Sequence, residues 1–194
     1  MTRTLSAFFY RIASWKTLLV AIPFYMVFPA YFLKTIEENL NAYAGKAIGP
    51  VDLLIANTDP DKILEMVAMY GPEGRPYYAF GVLTADVAYP VIYTFLLGVA
   101  LSLLFRSRTY TPFYWVNLIP VAAMLFDLLE NACIVTLLNT YPDASRSVAI
   151  LCMVFSNLKW GGFALSLGLI LYGLVRLLMR QFSRSSQSSR TESI

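Results

Sequence analysis

The chain has 194 residues, of which 58% are hydrophobic and 14% charged, with a mean hydropathy of +0.59 and a formal net charge of +3. A soluble domain carries about a quarter charged residues, so the composition excludes an ordinary water-soluble globule, and the length leaves no room for a second domain of ordinary size. There is no histidine, which excludes haem, di-iron and zinc chemistry on imidazole, while Cys133 and Cys152 stand in apolar segments without a C-x-x-C pairing and read as small hydrophobes, not a thiol relay.

Arg3, Arg11 and Lys16 precede an apolar run from Thr17 to Leu33, and no small-residue cleavage site follows it. At about 1.5 Å per residue this run crosses a hydrocarbon core of roughly 30 Å, so a first transmembrane helix is expected at about 16–34. The connection from Lys34 to Arg75 is too long to be a bare turn. Asp59-Pro60 suits an N-cap and first turn, Gly71 suits a helix stop, and Ile63, Leu64, Val67 and Tyr70 recur at helical spacing between them. A short amphipathic extracytoplasmic helix is expected there, covering the bundle or acting as a lid.

After a turn over Gly71-Pro72-Glu73-Gly74-Arg75-Pro76, the second span is expected at about 76–105 and the third at 112–139. Tyr141-Pro142-Asp143 reads as the next turn, and the fourth span follows at 146–179. Residues 1–180 thus form one four-span membrane domain, an all-α integral membrane four-helix bundle. The Ser/Arg-rich stretch 181–194 lacks apolar periodicity and is expected to be a disordered cytoplasmic tail. Tyr77, Tyr78 and Tyr141 near one boundary, and Phe113, Tyr114 and Trp115 near the other, suit interfacial belts.

Basic residues set the expected orientation. Arg3, Arg11, Lys16, Arg106, Arg108, Arg176, Arg180, Arg184 and Arg190 fall on one side with Glu192 as its one acid, while the opposite side is rich in both signs. The positive-inside rule then places both termini in the cytoplasm, of a bacterial inner membrane or a eukaryotic endomembrane. Those arginines suit anionic lipid and require no nucleic acid. Neither half repeats the other, which speaks against an inverted-repeat transporter within one chain.

Four charged side chains interrupt the spans: Asp86, Asp127, Glu130 and Lys159. A charge at membrane depth is costly and marks a partner or a task. Counting inward puts Asp86, Asp127 and Lys159 roughly 15–20 Å from the same end of the bundle, with Glu130 one turn nearer that end. Glu130 and Asn131 lie at i+3 and i+4 from Asp127, so all three share a face. Asp86 shares its face with Tyr89, Pro90 and Tyr93. Because Pro90 lacks an N–H, the Asp86 carbonyl needs a donor from elsewhere. Lys159 sits above Gly162, Ser166 and Gly173, a stripe that permits close helix approach. Trp160 points about 100° away from Lys159, toward lipid or another helix.

Three carboxyl groups share one ammonium, so at least one is expected to be protonated at neutral pH, the arrangement used in general acid/base work. Asp86, Asp127, Glu130 and Lys159 are the candidate catalytic residues. Asn131, Tyr89, Tyr93, Asn157 and Arg75 are the candidate substrate-binding residues, Arg75 as a headgroup contact at the rim. No phosphate loop, G-x-S-x-G or metal-ligand cluster is present, and neither metal nor cofactor is expected. Four spans with an acid shortly before a proline on the second resemble in architecture the emopamil-binding protein superfamily of sterol isomerases and related receptors. The expected function is to bind or transform a lipophilic small molecule (isoprenoid-, sterol- or lipid-like) as an isomerase, cyclase or hydrolase. A proton-coupled carrier, which would require a homodimer, and a non-catalytic membrane assembly subunit are the alternatives. Beyond membrane lipids and that small molecule, no partner is expected.

Overall fold

The computed structural model describes residues 2–106 and 112–191, with side chains described for 2–106 and 115–179. Its elements in chain order are α1 (Thr2–Ile12), α2 (Trp15–Val27), a π-helical segment (Phe28–Leu33), α3 (Lys34–Ala44), a single 3-10 turn (Val51–Leu53), α4 (Pro60–Met69), α5 (Gly71–Leu104), a 3-10 stretch (Pro112–Leu118), α6 (Ile119–Asn139) and α7 (Arg146–Thr191). The described chain is all-helical. Four stretches are long and apolar enough to cross a membrane: Trp15–Ala44, Gly71–Leu104, Trp115–Asn139 and Arg146–Met179. They fit a multi-pass membrane protein.

The four spans are unequal partners. In the second and third, 44% of the apolar window is buried inside the protein, against 11% in the fourth and 6% in the first. α6 packs most extensively on α7 and then on α5, whereas the first span leans on α5. Exposed Leu19, Phe24, Leu171 and Met179 therefore face the surroundings, which lipid tails satisfy as well as another helix would. Small residues set the tight crossings. A Cβ on Gly162 would stand 3.0 Å from that of Ala123, and one on Gly173 would stand 2.9 Å from that of Leu104, as the stripe below Lys159 led us to expect.

The first span is longer than expected and continues through α3. Pro29 has no N–H to return to the preceding turn, and there the helix widens to π geometry before α3 resumes. The second span also starts earlier than Pro76. Gly71, at φ +72°, makes the whole turn from α4 in one left-handed residue. Pro72 sits in the first turn of α5, where a missing N–H costs nothing. The stretch 71–76 is therefore the start of a helix, not a turn. Tyr141-Pro142 forms the loop before α7 with a cis peptide bond.

α4 forms as its signals imply. The Asp59 carboxylate caps it by accepting from the Asp61 N–H at 2.9 Å. Ile63, Met66, Val67 and the adjoining Tyr70 are buried against the bundle, with Leu64 packed beside them. Two features depart from expectation. Residues 2–12, read as a plain basic leader to the first span, form α1, pinned to α5 by Phe9 and by a buried Ser6–Asn117–Ser102 hydrogen-bond chain. At the other end α7 runs to Thr191, so residues 181–191 are helical where an irregular tail was expected. They contain neither glycine nor proline, and extending an existing helix costs far less than nucleating one. Residues 192–194 of that tail, and the side chains of Phe113 and Tyr114, lie outside the described residues.

Candidate functional site

Asp86, Asp127, Glu130 and Lys159 come together inside the bundle, all less than a tenth exposed and Glu130 wholly enclosed. Lys159 on α7 is the hub. Its Nζ lies 2.5 Å from Glu130 Oε2 and 3.5 Å from Asp127 Oδ1, both on α6. The shared face of Asp127, Glu130 and Asn131 follows from their i, i+3, i+4 spacing, and turning that face toward α5 and α7 places all three within reach of groups on those helices. Lys34 and Arg75 play no part in neutralising Glu130. Lys34 pairs with exposed Glu38 at 3.7 Å, and the Arg75 guanidinium lies 3.9 Å above the Tyr141 ring.

α5 and α6 each contribute hydrogen-bonding partners. Tyr93 on α5 donates to Asp127 Oδ2 at 3.1 Å. Asn131 on α6 donates from Nδ2 to the Asp86 carbonyl at 3.0 Å. This is the donor that Pro90 made necessary, so the proline inside the helix and the buried amide are two halves of one joint. Thr94 Oγ1 donates in the same way to the Pro120 carbonyl at 3.1 Å, tying α5 to the start of α6.

A loop completes the site, and sequence reasoning missed it. The 3-10 turn Val51–Leu53 folds inward so that the Asp52 carbonyl accepts from Lys159 Nζ at 3.4 Å and from Trp160 Nε1 at 3.3 Å. The Asp52 carboxylate is held by the Tyr78 hydroxyl at 2.6 Å, and that hydroxyl also accepts from the Val51 N–H at 3.0 Å. Tyr70 steadies the same loop by donating to the Gly49 carbonyl at 2.9 Å. Its burial, and then the charge of Asp52, push the Tyr70 phenol above its ordinary range, so it remains a donor. Asn157 serves the loop as well, donating to the Asn57 carbonyl at 2.8 Å. Asn157 and Arg75 thus stand apart from the four charged groups. Trp160, expected to face away, closes the site: a 100° turn from Lys159 still leaves its ring on the side to which the inward loop comes.

Two adjoining spaces reach Asp86, Asp127 and Lys159. The larger, of about 410 Å³, lies between the first span, the Asp52 loop and α5; Leu33, Tyr78, Tyr89 and Trp160 line it together with the charged Lys34, Glu37, Asp52 and Asp86. A smaller chamber of about 60 Å³ shares Asp86, Tyr89 and Trp160 and reaches Tyr93, Asp127 and Lys159. The larger falls in the size range of small-molecule sites. Aromatic rings wall the way in: Tyr89 stacks on Tyr25 at 5.8 Å and meets Tyr93 edge-on at 5.6 Å, and Phe163 lies 5.6 Å from Tyr93 and 6.0 Å from Trp160. Of the expected binding residues, Tyr89 lines both spaces and Tyr93 the inner one, while Asn131 acts through the Asp86 backbone.

The polar inventory is unbalanced. Asp52, Asp86, Asp127 and Glu130 surround one ammonium. Asp86 Oδ2, Glu130 Oε1 and Asn131 Oδ1 are buried with no hydrogen-bond partner among the described residues. Glu130 Oε2 and Asp127 Oδ1 face Lys159 as ion-pair partners without hydrogen-bond geometry. Among the described residues no group of His, Cys, Asp and Glu is arranged to hold a metal ion, and both cysteines are free, Cys152 fully buried. Family models, curated proteins and solved structures offer no match to this chain. The architectural likeness to the emopamil-binding superfamily therefore carries no argument here, and the site speaks through its own geometry.

Proposed function

We propose that this chain binds a lipophilic small molecule within its membrane-spanning bundle and transforms it by acid/base chemistry. One observation carries the reading: a buried carboxyl group, Asp86, whose Oδ2 has no hydrogen-bond partner among the described residues, lines both a largely apolar cavity of about 410 Å³ and an adjoining smaller chamber that reaches Asp127 and Lys159. A carboxyl pair in which one member is fixed by an ammonium and a tyrosine, and the other is free, divides the roles of a proton-exchanging site. Asp86 exchanges the proton with the ligand. Asp127 is the second carboxyl, held by Lys159 and Tyr93. Glu130 is the counter-charge that keeps Lys159 in place. Isomerisation, cyclisation and hydrolysis are the reaction types such a pair serves.

These groups converge inside a single chain, which supports ligand handling over pairing with a partner helix and leaves the dimeric carrier without a specific observation in its favour. Following the charge asymmetry, both termini are cytoplasmic, α4 and the Asp52 loop are extracytoplasmic, and Arg75 stands at that rim near lipid headgroups. The test is to replace Asp86 or Asp127 by Asn and to measure folded yield together with copurified lipophiles by mass spectrometry and the lipid profile of a deletion strain complemented by each variant. Normal yield with an altered ligand or lipid profile supports the reading. Unchanged ligand and lipid profiles refute it, and loss of the fold assigns the carboxyl groups to helix packing.

A further inference from the structure

The hydrogen-bond accounts of the inner chamber point to the chemistry of the ligand's head group. Lys159 has three N–H bonds, and its Nζ faces three acceptors: Glu130, Asp127 and the Asp52 carbonyl. Tyr93 is committed to Asp127, Trp160 to the Asp52 carbonyl and Tyr78 to the Asp52 carboxylate. The Tyr89 ring is stacked on Tyr25. Apart from the Tyr89 hydroxyl, these donors are engaged within the protein. Acceptors are not. Asp86 Oδ2 is unpartnered on a residue only 7% exposed that lines both spaces, and Asp127 Oδ1 has only a 3.5 Å ion contact. A buried acceptor left unmet is costly, and more so in a dry interior.

Resting on the function proposed above, with Asp86 as the proton-accepting carboxylate, we infer that the ligand is a lipophile whose head group donates a hydrogen bond, such as a hydroxyl, to the Asp86 carboxylate. An ether, ester or carboxylate head brings only acceptors to a chamber already rich in them, and a carboxylate adds like charge to Asp52, Asp86 and Asp127. The inner chamber of about 60 Å³ suits a small head group and its ordered water, and the larger cavity of about 410 Å³ takes the apolar body. Selectivity then rests on Asp86: its carboxylate is the acceptor, and the ligand brings the donor.

Three probes of one chain length test this: dodecanol, dodecyl methyl ether and dodecanoate. They are titrated into the full-length protein in detergent, with Trp15→Phe and Trp115→Phe leaving Trp160 emission as the reporter of the cavity. Dodecanol is expected to bind about tenfold or more tightly than the ether or the carboxylate, the scale of one hydrogen bond to a charged acceptor. Asp86→Leu removes the acceptor and closes the alcohol–ether gap; comparing each probe between wild type and variant cancels its partition into detergent. Should Asp86→Leu not fold, Asp86→Asn narrows the same gap, and the wild-type series decides by itself. Ether or carboxylate binding as tightly as alcohol overturns the donor head group and leaves the lipophile site standing. A gap that survives in folded Asp86→Leu removes Asp86 from the assignment. No response of Trp160 to any probe overturns both this inference and the cavity reading beneath it.

Discussion

The joint between α5 and α6 offers a sharp test of how the site is built. Asn131→Leu deletes the amide that donates to the Asp86 carbonyl at 3.0 Å, and Pro90 prevents the helix from supplying a substitute. A buried carbonyl left unpaired costs about 1–3 kcal/mol. Two effects reduce that. The same change removes Asn131 Oδ1, itself buried and unpartnered, and polar contacts between membrane helices average only about 0.6 kcal/mol. A net loss of about 1 kcal/mol is expected for the single variant. Pro90→Ala restores an N–H four residues beyond Asp86, which takes the carbonyl back into the helix. In that background Asn131→Leu should cost nothing or should stabilise. The cycle is measured by denaturant or thermal unfolding of wild type, both single variants and the double variant in one detergent. A coupling of about 1 kcal/mol is expected; additivity within about 0.5 kcal/mol refutes the argument that proline and amide form one unit.

Further expectations concern the ion cluster, the α1 dock and an external bridge. Lys159→Met strands the enclosed Glu130 and should cost about 3–5 kcal/mol, as broken buried pairs do. Adding Glu130→Gln should recover part of that loss, and an unfolding curve unchanged by Lys159→Met alone would contradict the cluster as described. Gly98→Ala would bring a methyl group to 2.6 Å from the Phe9 ring, so a cost of about 1–3 kcal/mol is expected with release of α1 to protease; Phe9→Leu in the same chain should relieve it, and an unaltered digestion pattern would count against the docked α1. Asp61 and Arg146 pair at 2.8 Å on the surface, and the hydrogen bond from Arg146 holds the Asp61 carboxyl below its ordinary value of 3.8. Because that folded-state value is depressed, any stability from the bridge is present above the ordinary value and disappears as pH falls through the lower one. Wild type and Asp61→Asn should therefore differ near neutral pH and converge in acid, and a difference that persists in acid would refute the linkage.

Much of this molecule is legible in the chain because lipid imposes strict rules. A span must be long, apolar and hydrogen-bonded within itself, so the four spans announce themselves. The face shared by Asp127, Glu130 and Asn131 follows from helical spacing, and the need for a donor at the Asp86 carbonyl follows from Pro90. What escaped notice lies where no period operates. Asp52 sits in a loop whose inward fold depends on Tyr78 and Tyr70, on α5 and beside α4, residues far away in sequence whose hydroxyls give no local signal. Trp160 and Asn157 depend on the same loop, so their roles were hidden with it. α1 was read for its charges alone, although Ser6, Phe9 and Ala13 recur at helical spacing and mark the docked face.

The order in which the charged groups occur along the chain has a consequence for how the protein is made. Asp86, Asp127 and Glu130 leave the ribosome before their ammonium does. Lys159 follows Glu130 by about thirty residues, a delay on the order of 2–6 s at the usual pace of synthesis. During that interval the nascent chain holds three acids without their cation, and the Asp52 carbonyl waits for Lys159 and Trp160 across a separation of more than a hundred residues. The fourth span thus neutralises the cluster and latches the loop together, since Lys159 and Trp160 are adjacent. Chains that stop short of it keep three acids without the ammonium that balances them, a costly burden at membrane depth.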